Sequence, residues 1–299
     1  MILCCGEALI DMLPRKIAGD ETAFAPHAGG AVMNTAIALG RLGADAGYFG
    51  GISNDLFGQV LIHALSASNV DHSLCPRSTR PTTLAFVTLT NGQAEYAFYD
   101  ENTAGRMLDL QDLPENLKGV QALFFGGISL VSTPQADSYA ALCMRAGGLP
   151  VMIDPNIRPG FITDETAYRA RLMRMLRRAD VVKLSDEDMD WLGTSPKTLL
   201  EQGAHIVLIT RGADGVDLIT AQEQGRIPAQ KTNVVDTVGA GDTFNAGFLA
   251  GLAGAGLLSR TALSAATFDA LRPAAELGTH AAAITVSRAG ANPPWDSEL

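Results

Sequence analysis

The sequence predicts an α/β fold built on a mostly parallel, doubly wound sheet flanked by helices, with a small second sheet. Three observations lead there. Short apolar runs alternate with helix-period runs along most of the 299 residues, the pattern of successive βαβ units. Two stretches, 12–27 and 93–103, alternate in strand fashion with no helix beside them, and Asn91-Gly92 is a hairpin turn signal. Gly-rich segments stand where a strand gives way to a helix, which is where ligands of such sheets gather.

In chain order, the apolar runs 2–5, 48–50, 84–90, 122–125, 151–154, 181–184 and 206–210 read as strands of the large sheet. Between them, apolar residues recur at helical spacing over 33–43, 58–68, 135–146, 167–178, 186–192 and 243–252. Five arginines (Arg169, Arg171, Arg174, Arg177 and Arg178) interleave with Leu172, Met173, Met175 and Leu176. That spacing predicts the polar face of a surface helix, not a nucleic-acid patch. Neither strand-only stretch could fold alone. With no internal repeat or long linker, residues 1–299 read as a single domain.

Bulk properties narrow the function. A net charge of −10 argues against general nucleic-acid binding, which needs a basic surface. It leaves phosphorylated ligands open, because backbone N–H groups and single arginines can hold them. Cys4, Cys5, Cys75 and Cys143 have no metal-type spacing and read as reduced, buried thiols. The start lacks a basic leader pattern, and the longest weakly polar stretch, 248–258, is far too short to span a membrane. A cytoplasmic protein with no membrane contact is expected.

The most informative segment is Asp236-Thr-Val-Gly-Ala-Gly-Asp242. Gly239, Ala240 and Gly241 directly precede a helical run, and small residues there let backbone N–H groups approach an anion closely. The positive end of the helix dipole favours the same ligand. Asp242 is out of place in a purely anion-binding loop, since its carboxylate repels the ligand. Its presence makes sense as a base that takes a proton from a hydroxyl attacking phosphorus. The plainer alternative is a helix cap, a role aspartate fills well.

The segment 236–249 resembles the C-terminal signature of the ribokinase-like (PfkB-type) carbohydrate kinases. The segment 29–43, continued through 50–58, resembles the family's other signature. The opening Gly6-Glu-Ala-Leu-Ile-Asp11 and the run from Phe98 to Arg106 are most similar to fructokinases. This resemblance spans essentially the whole chain. It implies the ribokinase-like fold, with segments 12–28 and 91–104 forming a β-sheet lid over the sugar, and a homodimer joined through that lid. It implies ATP and a small sugar as substrates, most simply D-fructose phosphorylated to fructose 6-phosphate.

The resemblance also assigns roles to residues. Asp242 takes the catalytic base position, with Gly239, Ala240 and Gly241 as the anion hole. Asp11, Gly29, Gly30 and Asn34 match the sugar contacts, Phe98 lies in the lid, and Arg158, in Asp154-Pro-Asn-Ile-Arg158, is set to steady phosphate or contact substrate. Thr210, Gly212 and Gly215 match the nucleotide turn, and 281–290 the adenine wall and cation loop. Asp236 and the backbone of Val238 match a monovalent-cation site.

Two positions depart from the family pattern. Where an Asn-x-x-Glu motif orders Mg²⁺, usually through water, this chain has Ser185-Asp-Glu-Asp188. Mg²⁺ keeps much of its hydration shell, so either Asp188 or Glu187 can serve. Pro294 stands where potassium-activated relatives often have Ser, which leaves K⁺ dependence open. Other readings of the activity are a 2-keto-3-deoxygluconate kinase, a related sugar or nucleoside kinase, and a non-catalytic sugar- or nucleotide-sensing protein. Asp100 opposes the first, because acidic-sugar kinases tend to place an arginine there. Asp242 beside an intact Gly-Ala-Gly opposes the last.

Overall fold

The computed structural model describes residues 1–17, 21–90 and 93–299. The Asn91-Gly92 turn lies outside the described residues. The strands are β1 (Ile2–Cys5), β2 (Leu9–Lys16), β3 (Thr22–Gly29), β4 (Ala46–Phe49), β5 (Ile52–Ser53), β6 (Val70–Asp71), β7 (Arg77–Ser78), β8 (Leu84–Thr90), β9 (Gln93–Tyr99), β10 (Ala122–Gly126), β11 (Val151–Asp154), β12 (Val181–Ser185), β13 (Ile206–Thr210), β14 (Val216–Ile219) and β15 (Gln224–Ile227). The helices are α1 (Ala31–Arg41), α2 (Leu56–Ala67), α3 (Gln135–Met144), α4 (Glu165–Leu176), α5 (Asp186–Leu192), α6 (Pro196–Glu201), α7 (Ala240–Gly254), α8 (Arg260–Ala265) and α9 (Phe268–Val286).

The large sheet runs β15-β14-β13-β12-β11-β10-β1-β4-β6. Its pairs from β6 through β13 are parallel, and β14 and β15 add an antiparallel edge. Strand alternation splits the core between two layers. Ile2 and Cys4 pack with residues of α1, α2, α7 and α9 on one face, while Leu3 and Cys5 pack with those of α3 and α4 on the other. The neighbouring cysteines therefore serve separate cores, and all four thiols are buried and free. On the first face, α7 and α9 approach closely at two glycines: a Cβ on Gly247 would stand 2.6 Å from Gly278 Cα.

The strand 84–90 is a correction. It belongs to the small sheet, ordered β3-β2-β8-β9, and not to the large one. Only two residues separate β8 from β9, so no crossover helix can intervene and the two must pair antiparallel. The arginine-rich helix also differs from a simple solvated face. Arg171 is buried, paired with Asp137 at 2.9 Å and donating to the carbonyls of Leu130 and Val131. Arg169 lies over the Trp191 ring at 3.7 Å. These guanidiniums tie α4 to its neighbours. Among the described residues, no helix is long and apolar enough to cross a membrane.

Candidate active site

The C-terminal ends of β1, β10, β11 and β12 open toward the small sheet, and a cavity of about 550 Å³ lies there. Four segments supply most of its lining. Leu9, Asp11 and Phe98 come from the small sheet, Gly30, Ala31 and Asn34 from the N-cap and start of α1, Asp154 from the end of β11 with Asn156 and Arg158 to Phe161 beyond it, and Thr237 to Asp242 from the entry to α7.

The entry to α7 presents unpaired backbone donors to the cavity. Gly239 precedes the helix in the left-handed region, φ 78°, which glycine adopts without steric cost. A Cβ there would also stand 2.6 Å from the Ala291 side chain. Among the described residues, no acceptor engages the N–H groups of Gly241 and Asp242, so the first turn presents unpaired donors. Asp242 does not cap its own helix. Its Oδ2 accepts from Asn34 Nδ2 at 2.9 Å. Burial is the main force on this carboxyl, pushing its pKa up to about 6; the Asn34 amide works in the opposite direction, Asp154 adds to the rise, and Lys183 and Arg158 lower it.

Asp11 follows β1 in the chain and lies in the second strand. It sits within β2, opposite His27 on one side and Ala85 on the other. Burial, then the charge of Asp242, raises its pKa to about 6. Gly29 leaves room for it in this rotamer, because a Cβ there would overlap Asp11 Oδ2. Gly30, with φ 105°, opens α1, and a Cβ on it would come 2.8 Å from the Glu7 carbonyl oxygen. Phe98 meets Phe161 edge to face at 4.9 Å. With Leu9 and Ile128 these rings form an apolar wall. Arg158 is exposed at the cavity and makes no ion pair among the described residues; its Nη1 donates to the Ile157 carbonyl.

Other expected residues lie away from this cavity. Thr210, Gly212 and Gly215 sit around the far end of β13, beside Ser185 of β12. A Cβ on Gly215 would overlap the Ile227 carbonyl, so this glycine is needed where the chain doubles back. Both Asp188 oxygens receive backbone donors, Ile157 N–H at 2.8 Å and Ser185 N–H at 2.9 Å, while Glu187 is exposed on α5. Asp236 binds the Val238 N–H with one oxygen and the Gly290 N–H with the other. This bridge ties the α7 entry loop to the segment after α9. Among the described residues, no three His, Cys, Asp or Glu side chains group as a metal cage.

The lining residues to which the sequence reading gave no role include two charged side chains from the apolar sheet and its edge, Glu7 and Lys183. Glu7 is buried; its carboxylate accepts from the Ala31 and Ser129 N–H groups, and burial pushes its pKa up to about 7. The available signal was a carboxylate two positions beyond the first apolar strand. Lys183, the third residue of β12, ends in the same cavity. A lysine inside the run Val-Val-Lys-Leu was the available signal.

A helix entry with unpaired N–H groups and a buried carboxylate share this cavity with an apolar wall, a layout suited to phosphoryl transfer. The chain belongs to the pfkB family of carbohydrate kinases, whose model matches residues 1–298. It is 50% identical over 279 residues to a fructokinase of Rhizobium leguminosarum bv. trifolii, covering 91% of this chain and 86% of that protein. It superposes with a TM-score of 0.89 on the ATP-bound fructokinase of Xylella fastidiosa, at 29% identity, covering 97% of this chain and 93% of the other. A double-mutant fructokinase of Vibrio cholerae O395, solved with fructose, ADP and potassium ion, superposes at 0.84 with 26% identity, covering 97% and 93%.

Proposed function

We propose that this protein transfers the γ-phosphoryl group of ATP to the terminal hydroxyl of D-fructose, giving fructose 6-phosphate. The observation that carries the reading is the Asp242 carboxylate, buried beside unpaired N–H groups in one cavity with Asp11, Asn34 and Phe98. The identity to fructokinases supports the choice of sugar.

The chemistry follows from the placement. Asp11 accepts hydrogen bonds from sugar hydroxyls, and Gly29 and Gly30 let the sugar approach the backbone. Phe98 covers its apolar face. Asp242 takes the hydroxyl proton late, as the new O–P bond forms, a contribution of roughly 10²–10⁴ in rate. The N–H groups at Gly239–Asp242 and the Arg158 guanidinium hold the transferred group, and the old O–P bond breaks toward ADP. Thr210, Gly212 and Gly215 hold the nucleotide. Magnesium enters with the ATP phosphates as part of the substrate, with Asp188 or Glu187 reached through water. Asp236 and the Val238 carbonyl offer a place for a monovalent cation.

The small sheet acts as the lid of a single kinase unit spanning the chain. Its outer face carries Phe24, Phe86 and Tyr99 in edge-to-face contact, at 5.0 and 5.5 Å, and Tyr99 is 62% exposed. An apolar face of that kind fits a second copy of the chain.

An ADP-release assay with a sugar panel tests the activity. D-fructose should give the highest kcat/KM, above ribose, adenosine and 2-keto-3-deoxygluconate. The acidic sugar belongs in the panel because Asp100 is buried and paired with Arg106 at 2.9 Å, so its charge is neutralised and does not by itself repel an anion. A panel won by the acidic sugar would leave a sugar kinase but not a fructokinase.

A further inference from the structure

Lys183 is an unusual residue to find inside a sheet. It is buried, yet its side chain reaches the phosphoryl end of the cavity. Its Nζ donates to Asp154 Oδ2 at 2.9 Å. The same oxygen accepts from Asn245 Nδ2 at 2.7 Å, and Asp154 Oδ1 accepts from the Asn156 N–H at 3.2 Å. Asp154 is therefore already served by two neutral donors. Asn245, one turn beyond Asp242 on α7, leaves its own Oδ1 without a partner among the described residues, and its amide donates to Asp154.

The ammonium is not used up by this network. It carries three donors, and among the described residues Asp154 is its one hydrogen-bond partner. A Cβ on Gly241 would stand 3.3 Å from Nζ, so the charge lies directly against the turn whose N–H groups are unpaired. Burial pushes the lysine toward its neutral form. Asp154, then Asp188, and more weakly Asp242 outweigh burial and hold its pKa above the ordinary value. A permanently charged ammonium, fixed by Asp154 and backed by Asn245, thus stands at the anion hole with donors to spare.

We propose that Lys183 is a catalytic residue that donates to the phosphoryl group in flight, with Asp154 and Asn245 as the residues that position it. This rests on the kinase reading above. In the transfer, the sugar oxygen bonds to phosphorus while the bond from phosphorus to the bridging oxygen breaks, and its electron pair stays on ADP. The hydroxyl proton goes to Asp242, and Lys183 keeps its own proton throughout. Its charge offsets the negative charge on the equatorial oxygens, which otherwise faces Asp242 and Asp154 at close range. Removing one fixed donor of this kind typically costs about 10²–10³ in turnover.

The alternative is that Lys183 only neutralises Asp154, and a pair of variants separates the two roles. Lys183→Met alone strands a buried carboxylate and can unfold the protein. Lys183→Met combined with Asp154→Asn removes both charges and restores neutrality, so it is compared with Asp154→Asn alone. The expected result is that both fold with similar melting temperatures and bind ADP equally. The double variant should then turn over fructose about a hundredfold more slowly than the single one. It should also bind the non-hydrolysable analogue AMP-PNP at least tenfold more weakly relative to ADP. Equal AMP-PNP discrimination in the two variants overturns the proposal, whichever sugar the parent accepts. A parent that binds AMP-PNP but phosphorylates no sugar refutes the kinase reading instead, and the nucleotide comparison still decides the lysine.

Discussion

Asn34, in the first turn of α1, donates its side-chain amide to Asp242, in the first turn of α7, at 2.9 Å across 208 residues of sequence. The resemblance assigned this asparagine to the sugar, and the structure gives it a hold on the carboxylate proposed as the base. Thr35, its neighbour, reinforces the link by donating to the Asp242 carbonyl at 3.3 Å.

The first prediction concerns that bond. The Asn34 amide stabilises the Asp242 anion and lowers its pKa. Asn34→Ala removes this, so a higher pH is needed to ionise the base. The acid limb of kcat/KM, expected near pH 6 in the parent, should move upward by about one pH unit, which roughly halves the ionised fraction of the base at about pH 7. A pH–rate profile with an unmoved acid limb would separate Asn34 from the base.

Asp242→Asn should cut turnover by about a hundredfold or more with nucleotide binding kept. The same change should alter stability in the other direction. Asp242 has a folded pKa of about 6 against 3.8 for the free group. A raised folded pKa contributes stability that is fully present below pH 3.8 and is lost as pH rises through 6. The ligand-free Asn variant escapes this loss, so its advantage should grow from pH 4 to pH 7 and reach on the order of 2–3 kcal/mol. Urea unfolding of both proteins at pH 4.5 and 7.5 reads this directly. An advantage that shrinks with pH would contradict the buried-charge account.

Gly29→Ala should damage sugar binding without damaging the fold. The new methyl overlaps Asp11 Oδ2, and the carboxylate is the flexible partner, so it swings away. The KM for fructose should rise tenfold or more while ADP affinity and melting temperature stay close to the parent. A variant with parental KM would show that Asp11 does not bind the sugar.

The small sheet should close on sugar. Phe98 already touches Phe161 across the cavity mouth, and closure would exclude water from the phosphoryl group. Amide exchange in β2 and β3 should slow at saturating fructose; unchanged protection would show a rigid sheet. The chain should be a dimer by light scattering, and Tyr99→Lys, on the exposed face, should dissociate it. A monomeric parent would refute the lid-to-lid contact.

Much of this was legible in advance. The runs 2–5, 151–154 and 206–210 coincide with β1, β11 and β13, because buried parallel strands are continuous apolar runs. The Gly-Ala-Gly entry to α7 was equally plain, since glycine at a helix start has few other uses. Less visible was α9, a 19-residue helix with Pro273 inside it, of which only the last turns fell in a segment that had been singled out.

Local chemistry determined most strands of the parallel sheet, the glycine-rich entry to α7 and the position of Asp242 beside it. All of these are written in residues that are neighbours in the chain. Tertiary structure decided the rest. It moved β8 into the small sheet, turned Asn34 toward Asp242, buried Arg171 and neutralised Asp100 with Arg106. It also carried Lys183 from the middle of an apolar strand to the back of Gly241, 58 positions later. Those outcomes depend on which elements meet across the sheet, and the burial that shifts Asp242, Asp11 and Glu7 arises only once they do.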